Sequence, residues 1–147
     1  MDQTAISVRN IYKTYKPSKE VQIRALRDLS LEVARGEMLA INGVSGSGKS
    51  TLLHIIGGLD KADRGEVIVD GKLVSSFSGR QLARYRNSTI GFVLQDFGLI
   101  PYRTVYENIC VPLYFSDEKG LSMRKVIDAQ LEALGIPELR NRKVNGL

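Results

Sequence analysis

Residues 43–51 read Gly43-Val44-Ser45-Gly46-Ser47-Gly48-Lys49-Ser50-Thr51, a complete G-x-x-x-x-G-K-[ST] spacing. The chemistry of that spacing is phosphate binding. Gly43, Gly46 and Gly48 let the main chain approach a phosphate closely, and successive N–H groups then form a concave anion nest. A helix that starts near Lys49 adds its positive end to the nest. Lys49 would reach the β- and γ-phosphates. The Ser50 hydroxyl would hold Mg2+, and Thr51 would hydrogen-bond nearer the α-phosphate.

The flanks must position this loop. Met38-Leu39-Ala40-Ile41 is a short apolar run, as expected of a strand buried on both faces. Thr51 to Ile56 reads as an apolar helical start that Gly57-Gly58 stops. Strand, glycine loop and helix come in the required order, which a flexible glycine-serine loop with an incidental lysine would not need.

Other residues have types and places that suit the same chemistry. Gln95 directly follows Ile90-Gly91-Phe92-Val93-Leu94, a second candidate buried strand. An amide at the end of a parallel strand can touch Mg2+ or orient a water, although a lone glutamine there is more often a surface residue. Tyr12 and Tyr15 lie on or after the first strand, where a ring can stack on a nucleobase or pack in the sheet. Pattern does not choose between these roles. Val67-Ile68-Val69-Asp70 imitates the strand-plus-aspartate that holds Mg2+ in phosphate-loop enzymes. Gly71 follows it, however, and Asp-Gly is a strong hairpin signal, so Asp70 reads as a turn residue. His54, the only histidine, reads as a helix-face residue.

Composition bounds the rest. Apolar residues make up 43% and charged residues 25%, ordinary for a soluble globular chain of 147 residues. The lone Cys110, between Ile109 and Val111, reads as a small buried apolar residue rather than a reactive thiol. The start lacks a basic, apolar leader, and the stretch 109–115 is too short to span a membrane, so a cytosolic location is expected. Net charge is +5. The basic residues gather on no one helix face and aromatics do not interleave with them, so no nucleic-acid surface is expected.

Residues 5–41 read as β-rich, with Ile6, Val8 and Ile11 at strand spacing and Leu29, Leu31 and Val33 at a period of two. Lys16-Pro17-Ser18-Lys19 forms a loop between them. Ser78 caps a helix through about Arg86, Thr104 caps 105–113, and Ser122 caps a longer helix. Its apolar positions Met123, Val126, Ile127, Leu131 and Leu134 fall on one face, and Gly135 and Pro137 end it. There is no internal repeat. The seam falls near residue 100, with an α/β core before it (1–100) and a helical portion after it (101–147).

These pieces together resemble the nucleotide-binding domain of ATP-binding cassette (ABC) transporters, over essentially the whole chain. Ile11-Tyr12-Lys13-Thr14-Tyr15 looks like the segment that supplies the adenine-stacking aromatic, and the family pattern selects Tyr15. Gly43 to Thr51, including Ser45 and Ser47, matches the family's phosphate loop. Gly91-Phe92-Val93-Leu94-Gln95 matches its Q-loop, and Glu66 to Gly71 its hairpin. Three further segments are similar to the lipoprotein-release and macrolide-export branch: Leu53 to Asp60, Gln95 to Pro101 and Thr104 to Ile109. Asn145-Gly146-Leu147 looks like the approach to the signature Leu-Ser-Gly-Gly-Gln, so the chain is expected to be truncated just inside that motif.

The resemblance implies an α/β fold: a P-loop NTPase core, an N-terminal antiparallel β subdomain and the start of an α-helical subdomain, with the C-terminal part missing. It implies ATP and Mg2+ as ligands, with Lys49 and Gln95 in catalysis and Ser50 and Gln95 at the metal. Gly43, Ser45, Gly46, Ser47, Gly48, Lys49, Ser50 and Thr51 would bind phosphates, and Tyr15 the base. The implied partners are a transmembrane permease, met through the Q-loop and helical region, and a second ATP-binding domain, met head to tail. The location would be the cytoplasmic face of the cell membrane. The catalytic glutamate, the signature and the switch histidine would lie beyond residue 147, so the chain alone is expected to hydrolyse ATP negligibly. Two other classes fit less well: a module that binds nucleotide without turnover, and a phosphate-loop kinase, which would need an arginine-bearing lid.

Overall fold

The computed structural model describes residues 4–94, 98–115 and 121–146. The chain divides into two compact units, Met1–Arg86 and Asn87–Leu147.

The first unit is built on an antiparallel sheet of four strands, β1 (Thr4–Tyr15), β2 (Ile23–Ala34), β3 (Arg64–Val69) and β4 (Lys72–Leu73), in the order β2-β1-β3-β4. Val8, Ile11, Leu26, Val33, Val67 and Val69 point to its buried face, which is the period-two pattern made physical. Strands as long as β1 and β2 stay paired only by bending. Asn10 (φ 48°) and Asp28 (φ 51°) adopt left-handed backbone where the β1–β2 register slips. The Asn10 amide donates to Asp28 Oδ1 at 2.8 Å, so the two irregularities face and hold each other. Asp70 and Gly71 take φ of 48° and 72° and close the β3–β4 hairpin, whose register pairs Val69 with Lys72. The turn assignment for Asp70 therefore holds, and its carboxylate lies 2.8 Å from Arg35.

Helix α1 (Lys49–Ile56) buries Leu52, Ile55 and Ile56. Its end is closed by Leu59 N donating to His54 O at 2.8 Å and by Gly57 N to Leu53 O at 2.9 Å. Helix α2 (Gly79–Ser88) starts with the expected Ser78, in a reciprocal pair: Gln81 N donates to Ser78 Oγ (3.4 Å) and Ser78 N to Gln81 Oε1 (2.8 Å). Its Tyr85 packs edge-on against Phe77 and donates to Ile56 O at 2.9 Å, which ties α2 to the end of α1. Burial pushes the Tyr85 phenol up to about 12, with the charge of Asp70 adding to it.

Two expected strands do not form. Residues 38–41 and 90–94 are irregular, with Met38 97% and Val93 91% exposed. A strand buried on both faces needs a neighbouring strand on each side to take its N–H and C=O groups. The described residues form only the antiparallel sheet, in which neither run finds a partner.

The second unit is helical. Helices α3 (Val105–Leu113) and α4 (Leu121–Ala133) pack around Cys110, Met123, Ile127 and Leu131. Cys110 is thus the small buried residue its neighbours suggested. Thr104 caps α3: its hydroxyl accepts from Glu107 N (3.1 Å), and its own N–H donates to Glu107 Oε2 (2.8 Å). The next two N–H groups of α3, on Val105 and Tyr106, donate to Arg142 O and Arg140 O, each at 2.9 Å. The segment after α4 thus completes the cap that a short helix needs. Arg140 also reaches Asp128 at 2.7 Å and stacks over the Tyr106 ring.

Helix α4 starts at Leu121, so Ser122 lies within its first turn rather than capping it. Gly135, at φ 70°, closes it with Ile136 N donating to Leu131 O (2.9 Å) and Gly135 N to Glu132 O (2.9 Å). Ile136 then packs on the apolar cluster, while Leu134, expected on the buried face, is 71% exposed. Among the described residues no helix is long and apolar enough to cross a membrane.

Candidate functional site

The phosphate-type loop lies in the first unit, directly before α1. Gly48 occupies the cap position of α1 at φ 94°, ψ 2°, a conformation that favours glycine. A Cβ there would stand 2.5 Å from Ala25 O and 2.8 Å from Leu26 Cδ2, so Gly48 also lets the start of α1 lie directly on β2. Gly46, at φ 78°, has nothing within 4 Å of its absent side chain. The tip is closed by Ser47 N donating to Val44 O at 3.2 Å.

Lys49 folds back over this loop. Its ammonium donates to Gly43 O and Val44 O, both at 2.8 Å, and lies 3.5 Å from Ser47 Oγ. The first turn of α1 carries no acidic residue. The free N–H groups and positive end of the helix are therefore uncompensated by any carboxylate on that turn, beside a fixed ammonium, which is the electrostatics of an anion site. Ser50 is exposed and Thr51 half-buried in the same turn. Ser45 and Ser47 are exposed on the loop. Gly43, Ser45, Gly46, Ser47, Gly48, Lys49, Ser50 and Thr51 are thus brought together as expected from their spacing.

Tyr15 ends β1 and is 36% exposed. Its hydroxyl donates to Asp60 Oδ2 at 2.7 Å. Partial burial, followed by the Asp60 bond, raises the phenol above its ordinary value. Lys13, nearly buried on the same strand, donates to Asp60 Oδ1 (2.7 Å) and Lys61 O (2.6 Å), with its ammonium 5.0 Å from the Tyr15 ring centre. Partial burial opposes ionisation of Asp60. The bonds from Lys13, Tyr15 and Lys61 N outweigh that and hold its carboxyl below the usual range.

Sequence reasoning missed Lys13 and Asp60. The available signal was Lys13 itself, in phase with Ile11 on the buried side of β1, where a lysine requires a carboxylate partner. Gln95 lies outside the described residues. A divalent cation would find the exposed Ser50 hydroxyl in the first turn of α1. Among the described residues no group of three or more His, Cys, Asp or Glu stands ready to hold a metal. A hard cation that takes one protein oxygen and otherwise phosphate oxygens and water fits this donor set.

Comparison with known proteins agrees with this geometry. The ABC transporter family model matches residues 26–147. The chain is 41% identical over 140 residues to the uncharacterized ABC transporter ATP-binding protein MJ0796 of Methanocaldococcus jannaschii, covering 95% of this chain and 59% of that one. It is 39% identical over 140 residues to the macrolide export ATP-binding/permease protein MacB of Chlorobaculum tepidum, covering 95% of this chain and 21% of MacB. A solved dimeric structure of a post-hydrolysis state of MJ0796, bound to ADP and Pi, superimposes with a TM-score of 0.85 at 39% identity. It covers 97% of this chain and 62% of that one. The chain therefore spans about 59% of the length of its MJ0796 relative. With the phosphate-loop geometry and a family model matched over most of its length, the chain belongs to the ABC transporter ATP-binding family.

Proposed function

We propose that this chain is the ATP-binding part of an ABC transporter ATPase, carrying the phosphate loop and the base-contacting strand. The observation that carries this is the Lys49 ammonium fixed over the glycine loop at the start of α1, 2.8 Å from Gly43 O and Val44 O. In this proposal the triphosphate displaces those carbonyls as partner of Lys49 and takes the N–H groups of the loop. Ser50 contributes an oxygen to Mg2+, which when bound neutralises charge on the phosphates. Thr51 meets the α-phosphate and Tyr15 the adenine. Gln95 is proposed at the metal and attacking water. Positioning and charge neutralisation are the main catalytic contributions in phosphoryl transfer.

The proposed partners are a membrane permease, engaged through the region of Gln95 and the helical residues after about 100, and a second ATP-binding domain set head to tail. MacB combines ATP-binding and permease parts by its name, and the MJ0796 structure is dimeric. The name of MacB supports an export task; lipoprotein release and a place at the cytoplasmic face of a membrane are proposed from the family resemblance. Residues 1–147 alone are proposed to bind ATP and turn it over negligibly. Asp70, the one residue that imitates a metal-holding aspartate after an apolar strand, is taken up by its hairpin and by Arg35.

Titration calorimetry with Mg2+ and ATP tests the proposal. Lys49→Ala should weaken binding about 30-fold or more, the value of one strong charge-assisted contact. Equal binding by the variant, or release of phosphate by the 147-residue chain at the rate of a complete domain, would sink it.

A further inference from the structure

We infer that Asp60 is a positioning residue for Tyr15, which it holds by the phenolic hydroxyl so that the ring is pre-set as a base platform beside the phosphate loop. This rests on the proposed role of Tyr15 at the nucleobase. The carboxylate is anchored independently of Tyr15. Oδ1 accepts from the Lys13 ammonium and from Lys61 N, each at 2.7 Å, which leaves Oδ2 for the Tyr15 hydroxyl at 2.7 Å.

The segment that carries Asp60 is itself laced to β1. Asp63 N donates to Tyr12 O at 2.9 Å, and Thr14 N donates to Asp63 Oδ2 at 2.7 Å. Lys13 adds its bond to Lys61 O at 2.6 Å. Asp60 follows α1 by only a few residues, and its N–H closes on His54 O at 3.2 Å. The phenol therefore hangs on a frame that joins the far end of the phosphate-loop helix to β1.

A half-exposed tyrosine at a strand end would otherwise sample several rotamers, and holding it in one lowers the entropic cost of stacking on a base. Asp60 touches neither phosphate nor base in this arrangement. Its removal should weaken only the part of affinity that comes from the base.

The test compares ATP with inorganic tripolyphosphate, both with Mg2+, by titration calorimetry on the 147-residue chain. The wild type should bind ATP more tightly than tripolyphosphate. Tyr15→Phe keeps the ring and the Lys13–Asp60 pair and removes only the hydroxyl. Asp60→Ala removes the acceptor. Each should cut the ATP-over-tripolyphosphate ratio about two- to tenfold, the cost of immobilising one side chain on binding. Tripolyphosphate binding should be unchanged. The double variant should lose no more than either single one, because both act through the same bond. If Asp60→Ala does not fold, Tyr15→Phe decides alone. A ratio unchanged in either folded variant, or strictly additive losses, overturns the inference while the role of Tyr15 at the base stands. A wild type that binds both ligands equally removes that role and the inference with it.

Discussion

Gly48→Ala should be more destabilising than Gly46→Ala in the same loop or Gly36→Ala after β2, and these two glycines isolate the reason. Gly48, Gly46 and Gly36 all have positive φ, at 94°, 78° and 77°. Left-handed backbone costs an alanine roughly 1–2 kcal/mol. All three changes regain about 0.4–1 kcal/mol by restricting the unfolded chain. Those two contributions nearly cancel in a comparison among the three. What remains is contact. An added Cβ meets nothing within 4 Å at Gly46 or Gly36, but at Gly48 it stands 2.5 Å from the backbone oxygen of Ala25. That oxygen belongs to β2, so it cannot swing aside as a side chain would. Either α1 lifts from β2 or the strand shifts, which adds about 1–3 kcal/mol. Gly48→Ala should then cost about 2–4 kcal/mol in urea unfolding and the other two about 1 kcal/mol or less. Lifting α1 also turns the Lys49 N–H, so ATP affinity should fall in parallel. A Gly48→Ala midpoint within experimental error of Gly46→Ala would refute the claim that the helix start is seated by direct contact with β2.

Thr104→Ala should destabilise the second unit by about 1 kcal/mol, the usual value of an N-cap side chain, seen as a lower thermal midpoint of the helical signal. Acid should weaken both units for related reasons. Burial opposes the lowered Asp60 carboxyl, but its bonds from Lys13 and Tyr15 prevail. That of Glu107 is lowered first by Thr104 N and then by Arg103. A carboxyl depressed in the folded state stabilises above its unfolded pKa and loses that contribution as pH falls through the folded one. Urea midpoints should therefore be level near neutrality and drop below the ordinary carboxylate range. Lys13→Met should flatten the part of that drop due to Asp60, and an unchanged profile would dissociate the pair from acid stability.

What was legible in the sequence was what short spacing fixes. The glycine loop and Lys49 are adjacent in sequence, so their meeting is read from spacing; the Lys49 ammonium lies 2.8 Å from Gly43 O, six residues back. Asp70-Gly71 declared its turn because two consecutive left-handed residues leave few choices of side chain. Thr104 announced a helix start by its type and its place directly before 105–113, and the structure adds Glu107 as its reciprocal partner. The Lys13–Asp60 pair was illegible for the opposite reason. Its members lie 47 residues apart, and their meeting depends on how the segment after α1 returns to β1.

The two absent strands mark the same limit from the other side. Apolar character at 38–41 and 90–94 states that these runs suit a buried strand, but a strand is a property of pairs. Met38 and Val93 stay exposed because hydrophobicity cannot by itself satisfy backbone N–H and C=O groups. The loop of Gly43 to Gly48 follows the first of these runs, yet it keeps its form through α1 and β2, where Gly48 packs against Ala25 and Leu26. The geometry of this glycine loop is therefore carried by the antiparallel sheet and helix α1. That explains why the Lys49 ammonium is held over the loop although the strand expected before it does not form.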